Sequence, residues 1–310
     1  MLSVVSRMTD APKSTREVRA IQIAIATSIV GSIVKFTVGA MTGSMSMLSS
    51  GIDSLGDLFV SIVNLMVVRI ADQAPDEEHN YGHVKVEGLG AMFEGGFIFA
   101  AGAFIIYEAV HKALIGEESH DSLLGIFTML PILGMTFATV LHLRKVAKET
   151  GSLIVKTDAL HYMTDVWVNV GVLVSLVLVH FTGMPIIDSI ISALIGLYML
   201  YSATHVVREG LAVVMDESLD KGTVEKLRAM LGACKEIDSF HDFKTRTGRI
   251  PHVDFHVVVD GAMSAQAVHD LFLQLERDIR ALVGPNTKVM LHADPRGHSP
   301  RAQLADAVVR

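Results

Sequence analysis

Six long apolar stretches, separated by short polar segments, fill the first 207 residues, and a more polar, alternating pattern fills the rest. The stretches lie at about 20–42, 44–70, 88–115, 123–143, 159–181 and 187–207. Each is close to the roughly 20 residues that an α-helix needs to cross the hydrocarbon of a bilayer. The pattern therefore predicts a membrane α-helical bundle of six transmembrane helices. Pro131 is expected to kink the fourth helix. The fifth helix should begin before its apolar part, near Ser152, and a Gly183-Met184-Pro185 turn should open the sixth.

Beyond Arg208 the periodicity changes. Residues 221–231 and 265–283 carry helical spacing, the latter through Val268, Leu271, Leu275, Ile279 and Leu282. Residues 239–246, 252–259 and 288–292 read as strands, the second alternating as His-Val-Asp-Phe-His-Val after a Thr-Gly-Arg-Ile-Pro turn. The order αββαβ predicts a small α+β domain with helices on one face of its sheet. The chain thus divides into a polar tail (1–19), a six-helix membrane domain (20–208), a C-terminal domain (209–295) and a polar, flexible tail (296–310).

Lysine and arginine set the orientation. Arg7, Lys13, Arg16, Arg19, Arg69, Lys85, Arg144, Lys145, Lys148 and Lys156 fall on one side, and Lys112 alone falls in the loops of the other. Both termini are expected in the cytoplasm. Composition agrees with a membrane protein: 50% of residues are hydrophobic, 19% are charged and the mean hydropathy is +0.44. A net charge of −7 argues against a nucleic-acid partner. Cys234 is the single cysteine, against 14 histidines, so a transition metal would have to be held by imidazole and carboxylate.

The apolar run at 44–70 contains Asp53 and Asp57, four residues apart and on one helical face with Ser49, Ser61 and Asn64. A carboxylate in hydrocarbon costs about 2.5–3.5 kcal/mol even on a lenient scale, so a cation or a proton must neutralise this pair. The fifth span repeats the spacing with His161 and Asp165, followed by Asn169. Two such pairs facing each other supply four N/O ligands, which suits tetrahedral zinc better than octahedral magnesium or thiophilic copper(I). These groups hold protons when empty and lose them to a metal, so exchange of metal against protons follows from the ligand chemistry. The alternative is a set of structural aspartates satisfied by neighbouring helices.

Asp76, His79 and His83 form a second group in the loop after the second span, with the two histidines one turn apart if that loop is helical. His241, His256, His269, His292 and Asp294 form a third in the C-terminal domain, where His292 and Asp294 share one face of an extended segment. The bland readings are a solvated acidic loop and incidental histidines. His111, His120, His142, His180, His205, His252 and His298 lack partner spacing. Lys35 and Glu94, isolated charges in the first and third spans, either pair with each other or leave Lys35 to snorkel.

Together these residues resemble the cation diffusion facilitators of the bacterial zinc-exporter type, over about residues 18–295. The resemblance rests on Gly43-Ser44, Asp53-x-x-x-Asp57, Asp76-x-x-His79-x-x-Gly82-His83-x-Lys85-x-Glu87, Asp158-x-x-His161-x-x-x-Asp165, His241-Asp242-x-x-x-Arg246 and His292-x-Asp294-Pro295. One departure is Val84, where the family commonly has a second glycine. The resemblance implies a transport site at Asp53, Asp57, His161 and Asp165, and a second site at Asp76, His79 and His83. It also implies a binuclear site drawn from His241, His256, His269, His292 and Asp294 in a ferredoxin-like, metallochaperone-like cytoplasmic domain. A homodimer interlocked through Lys85 and Asp216 is implied too, as is exchange of a divalent metal for protons by alternating access. Zinc or cadmium fits the Asp-Asp-His-Asp pattern, with ferrous iron, cobalt and nickel as further transported ions. The expected function is therefore metal export across the cell inner membrane. A non-transporting metal receptor and an intramembrane metalloenzyme are the alternatives; the second is disfavoured by the absence of a His-Glu-x-x-His motif.

Overall fold

A computed structural model describes residues 13–42, 45–115, 123–182, 184 and 186–296. The expected tail residues 1–12 and 297–310, the Gly43-Ser44 opening and Gly183 and Pro185 of the turn lie outside the described residues. The chain separates into two compact units, residues 1–211 and 212–310.

The first unit is a helical membrane domain made of α1 (Lys13–Thr42), α2 (Met45–Ala71), α3 (Val86–Ile115), α4 (Leu123–Thr150), α5 (Leu153–Thr182) and α6 (Ile186–Val214), the last running just past its boundary. Among the described residues α1, α2, α3 and α6 carry clear apolar spans of membrane length. Lys156, Asp158, His161 and Asp165 interrupt the apolar run of α5. α4 is continuous through Pro131, so the helix does not end there. The first helix starts seven residues earlier than its apolar stretch, because Lys13–Arg19 continue it as about two mostly polar turns.

Two packed groups build this unit. Ile21, Val68, Leu143, Ile154 and Tyr162 join α1, α2, α4 and α5 in one buried cluster. Ile98, Met199 and Ala203 join α3 to α6. The second contact is a seam of small residues. A Cβ on Gly102 would stand 2.9 Å from the Met199 Cβ, one on Gly196 2.9 Å from the Gly102 carbonyl, and one on Gly210 2.6 Å from the Gly88 carbonyl. Gly88, Gly95 and Gly102 recur every seven residues, as do Gly196, Ala203 and Gly210. That repeat keeps one narrow stripe of each helix against the other, where small side chains let the backbones approach.

Polar bonds tie the helices where lipid offers none. The Tyr162 hydroxyl donates to the Ala24 carbonyl at 2.9 Å and lies 2.6 Å and 2.9 Å from the Ser28 and Ser61 hydroxyls. Buried Glu87 of α3 accepts from the Ser152 hydroxyl (3.0 Å) and the Leu153 amide (2.9 Å), so it caps the N-terminus of α5 from a neighbouring helix.

The second unit contains α7 (Lys221–Ala233), β1 (Ser239–Arg246), β2 (His252–Val259), α8 (Ala265–Val283) and β3 (Lys288–Pro295), the αββαβ order expected. The sheet order is β1-β2-β3, with β2 antiparallel to β1 and parallel to β3. Asp220 and Ser264 cap α7 and α8 by accepting from the Thr223 and Ala267 amides. Val253, Phe255, Val257 and Val259 of β2 are buried with Leu227 and Leu231 of α7 and Leu271, Leu275 and Ile279 of α8. Period-two alternation therefore points Asp254 and His256 to the face without helices. β3 runs three residues beyond His292, because its parallel register with β2 continues to Val259 and Pro295.

Candidate metal centres

In the membrane unit, α2 and α5 bring Asp57, His161 and Asp165 together: one ligand atom from each lies within 4.8 Å of the other two. The His161 Nε2 is 3.2 Å from Asp57 Oδ1 and 4.0 Å from Asp165 Oδ2. The His161 side chain is 4% exposed, those of Asp57 and Asp165 19% and 26%, so this group is largely withdrawn from its surroundings yet not sealed. His161 Nδ1 and Asp165 Oδ2 are buried without a hydrogen-bond partner. Phe97 and Tyr162 wall the imidazole edge-on at 5.8 Å and 5.7 Å. Asp53 is not part of this group; it lies one turn along α2 and is exposed. The expected fourth ligand is thus about 6 Å of helix rise away from Asp57. Asn169 donates its amide Nδ2 to the Asp165 carbonyl at 2.7 Å.

Lys35 and Glu94 do not pair. Lys35 donates to the Ser54 hydroxyl (2.8 Å) and the Ser50 carbonyl (3.3 Å), and Glu94 accepts from Thr157 at 2.6 Å.

The loop of residues 72–85 gathers Asp76, His79 and His83 without forming a helix. Asp76 Oδ1 accepts from the Glu78 and His79 amides at 3.1 Å and 2.6 Å, which folds the chain back on itself. Gly82, with φ +81°, donates its amide to the His79 carbonyl and returns His83 to the carboxylate. His79 Nδ1 and His83 Nε2 then sit 3.4 Å and 3.3 Å from the two Asp76 oxygens, with the rings 4.6 Å apart. The His79 amide, and then the neighbouring imidazoles, hold the Asp76 carboxyl below the usual carboxylate range. Among the described non-glycine residues only Asp216 and Asp242 have positive φ, so Val84 occupies an ordinary conformation.

In the C-terminal unit the sheet register aligns His241 with His256 and His256 with His292, one imidazole from each strand in a row. Ring centroids are 5.1 Å and 4.7 Å apart along it. Asp294, two residues along β3 on the same face, reaches all three: Oδ2 lies 3.3 Å from His241 Nε2 and 3.2 Å from His256 Nδ1, and Oδ1 lies 3.5 Å from His292 Nε2. One ligand atom from each of His241, His256 and Asp294 lies within 4.8 Å of the other two. A bulge follows His241, with Asp242 at φ +51°. His269 is exposed on α8, which packs on the opposite face of the sheet, so it does not join the row. Asp216 is engaged at 3.3 Å by Arg246, whose other terminal nitrogen lies 2.8 Å from His252 Nε2.

The fold and these sites define a helical membrane protein with three imidazole–carboxylate groups suited to borderline divalent metals. Residues 21–215 match the cation efflux transmembrane domain, and residues 219–296 match the cytoplasmic domain of cation efflux proteins. The chain belongs to the cation efflux, or cation diffusion facilitator, family, a family of transporters. It is 31% identical to the cation-efflux pump FieF of Cronobacter sakazakii over 284 residues, covering 90% of this chain and 94% of that protein. It is 28% identical to protein p34 of Rickettsia prowazekii, covering 93% and 95%, and 31% identical to a Synechocystis transporter, sll1263, covering 83% of each.

Proposed function

We propose that the protein is a homodimeric antiporter that exports zinc-like divalent ions from the cytoplasm in exchange for protons, and that it is not an enzyme. The observation that carries this reading is the convergence of Asp57, His161 and Asp165 inside the helical domain. One imidazole and two carboxylates form a borderline N/O set that zinc and cadmium accept, as do ferrous iron, cobalt and nickel. Asp53, one turn along α2, supplies the fourth ligand by a change of its side-chain rotamer. The same carboxylates and imidazole must give up protons to bind metal, so an outside rich in protons drives release. Asp76, His79 and His83 form an exposed loop site. The His241–His256–His292 row with Asp294 forms the metal-sensing site of a cytoplasmic domain that joins two protomers. The membrane is the cell inner membrane, with both termini cytoplasmic.

The purified protein in proteoliposomes tests this directly. Zinc flux should appear and should accelerate when the trans side is acidified. Cadmium should compete strongly and manganese weakly. Absence of flux, or flux indifferent to an imposed pH gradient, overturns the proposal.

A further inference from the structure

Asn64 of α2, Glu94 of α3 and Asp158 of α5 meet in a layer with no solvent exposure. The Asn64 amide donates to Asp158 Oδ1 at 2.9 Å, and Thr157, the neighbour of Asp158, donates to Glu94 Oε2 at 2.6 Å. These two donors leave three oxygens over. Glu94 Oε1, Asp158 Oδ2 and Asn64 Oδ1 are all buried without a hydrogen-bond partner. Two carboxyl groups and an amide oxygen thus share one dry layer in which acceptors outnumber donors. Neither acid is ion-paired to a Lys, Arg or His among the described residues. His161 Nε2 faces Asp57 and Asp165, and Lys35 bonds to Ser54 and Ser50. The titratable groups facing the layer are His161 and Tyr162 from α5 and Asp57 from α2.

We propose that this layer is a proton-binding site separate from the metal ligands, with one proton resident on the Glu94–Asp158 pair. Two like charges side by side in a water-excluded layer repel strongly, and each lacks the water that would solvate it. One proton removes one charge and turns an acceptor into a donor, so up to two of the three unpartnered oxygens are satisfied at once. A proton needs only two oxygens to lie between, and Asn64 and Thr157 already hold one oxygen of each acid in the same buried layer. A zinc ion would need the layer opened to bring several oxygens to about 2.0–2.2 Å. The inference deepens the antiport reading, on which its role as a counter-ion store rests; occupancy of the layer does not depend on that reading.

Infrared spectroscopy of the full-length protein tests it, with zinc ions as the probe. At neutral pH and saturating zinc, which expels protons from Asp57 and Asp165, a protonated-carboxyl stretch should persist and should shift in deuterated water. It should vanish in the double variant Glu94→Gln/Asp158→Asn and remain in Asp57→Asn. If the double variant does not fold, each single amide variant should shift or remove the band. No persisting band in the unmodified protein, or a band unmoved by both amide substitutions, overturns the proposal. Zinc flux by the unmodified protein, measured in parallel, separates this failure from failure of the transport reading.

Discussion

Replacing Asp57 with asparagine keeps the volume and shape of the side chain and removes one of the two negative oxygens that face His161. Asp57 Oδ1 lies 3.2 Å from the imidazole, so the amide still fits the space. Residues that only orient a metal ligand change affinity by about 10–100-fold when replaced. A residue that supplies a ligand oxygen must do more, which sets a floor of about 100-fold, or about 2.7 kcal/mol. The electrostatic scale leaves room for this. A carboxylate and a dication about 2.1 Å apart attract by roughly 16 kcal/mol at an effective dielectric of about 20, before desolvation offsets most of it. Zinc titration calorimetry on the full-length protein should therefore lose one class of site per protomer. The loop group and the C-terminal histidine row should keep theirs, and zinc flux should cease. An Asp57→Asn protein with the full number of sites and undiminished flux refutes the assignment. Asp53→Asn, one turn outside the assembled group, should weaken zinc binding less than Asp57→Asn does.

His256 is central in the histidine row, so His256→Ala should abolish the zinc-dependent rise in thermal stability of the C-terminal domain. It should alter the stability of the metal-free protein by less than about 1 kcal/mol, because the side chain packs on no helix; a retained zinc response refutes the row as a site. Gly196→Val places side-chain atoms where even a Cβ stands 2.9 Å from the Gly102 carbonyl. It should destabilise the membrane domain by about 1–3 kcal/mol in detergent unfolding, and unchanged stability refutes the close α3–α6 seam. Burial, then the charge of Arg246, lowers the His252 pKa below its usual value. The unfolded chain therefore takes up a proton there before the folded chain does. This contribution to stability is complete above the usual histidine range and is lost as the pH falls below it. Hydrogen exchange of β2 should show that loss below about pH 6.5, and His252→Asn should flatten it.

The elements were readable because their signals are local. Apolar runs marked the long helices, and the Val253–Phe255–Val257 alternation marked β2. Site geometry was readable only where spacing alone decides it. His161 and Asp165 meet because an imidazole is long enough to bridge one helical turn. Asp53 and Asp57 share a face by the same spacing, but two short aspartates remain separated by the rise of that turn. The histidine row depends on the register of an antiparallel and a parallel pairing, which no local spacing encodes. Spacing puts His79 and His83 one turn apart only if the loop is helical, whereas an Asp76 turn and the positive φ of Gly82 assemble the group. Asp158 lay in the motif on α5 and Glu94 stood out in α3, yet nothing in the sequence says that the two share a layer. The heptad glycines of α3 and α6 were a missed signal, visible in the spacing of Gly88, Gly95 and Gly102.

The packing also constrains how the membrane site can move. Asp57 and both α5 ligands belong to the group formed by α1, α2, α4 and α5, which is fused by the Ile21–Leu143–Ile154 cluster and by the Tyr162 bonds to Ala24, Ser28 and Ser61. α3 and α6 form a second body, locked by glycines that permit no Cβ. Between the two bodies run polar links to α5, namely Glu87 to Ser152 and Leu153, Glu94 to Thr157, and Glu209 to Lys156 at 2.6 Å, and close apolar contacts of Gly90 with Ile154 and Val67 and of Gly171 with Ile195. A close-packed cluster resists shear, whereas a hydrogen bond or ion pair can be exchanged for another of similar energy. On the transport reading proposed above, the polar links are the contacts most readily exchanged when the four-helix body moves against the α3–α6 pair, and the Gly90 and Gly171 contacts must slide. The ligands then keep their mutual geometry while the polar links change partners. Asp158 and Glu94 lie across that boundary, one on each body, so displacement of the bodies also opens the layer between them. On the transport reading proposed above, a proton held there is exposed by the same movement that turns the metal site.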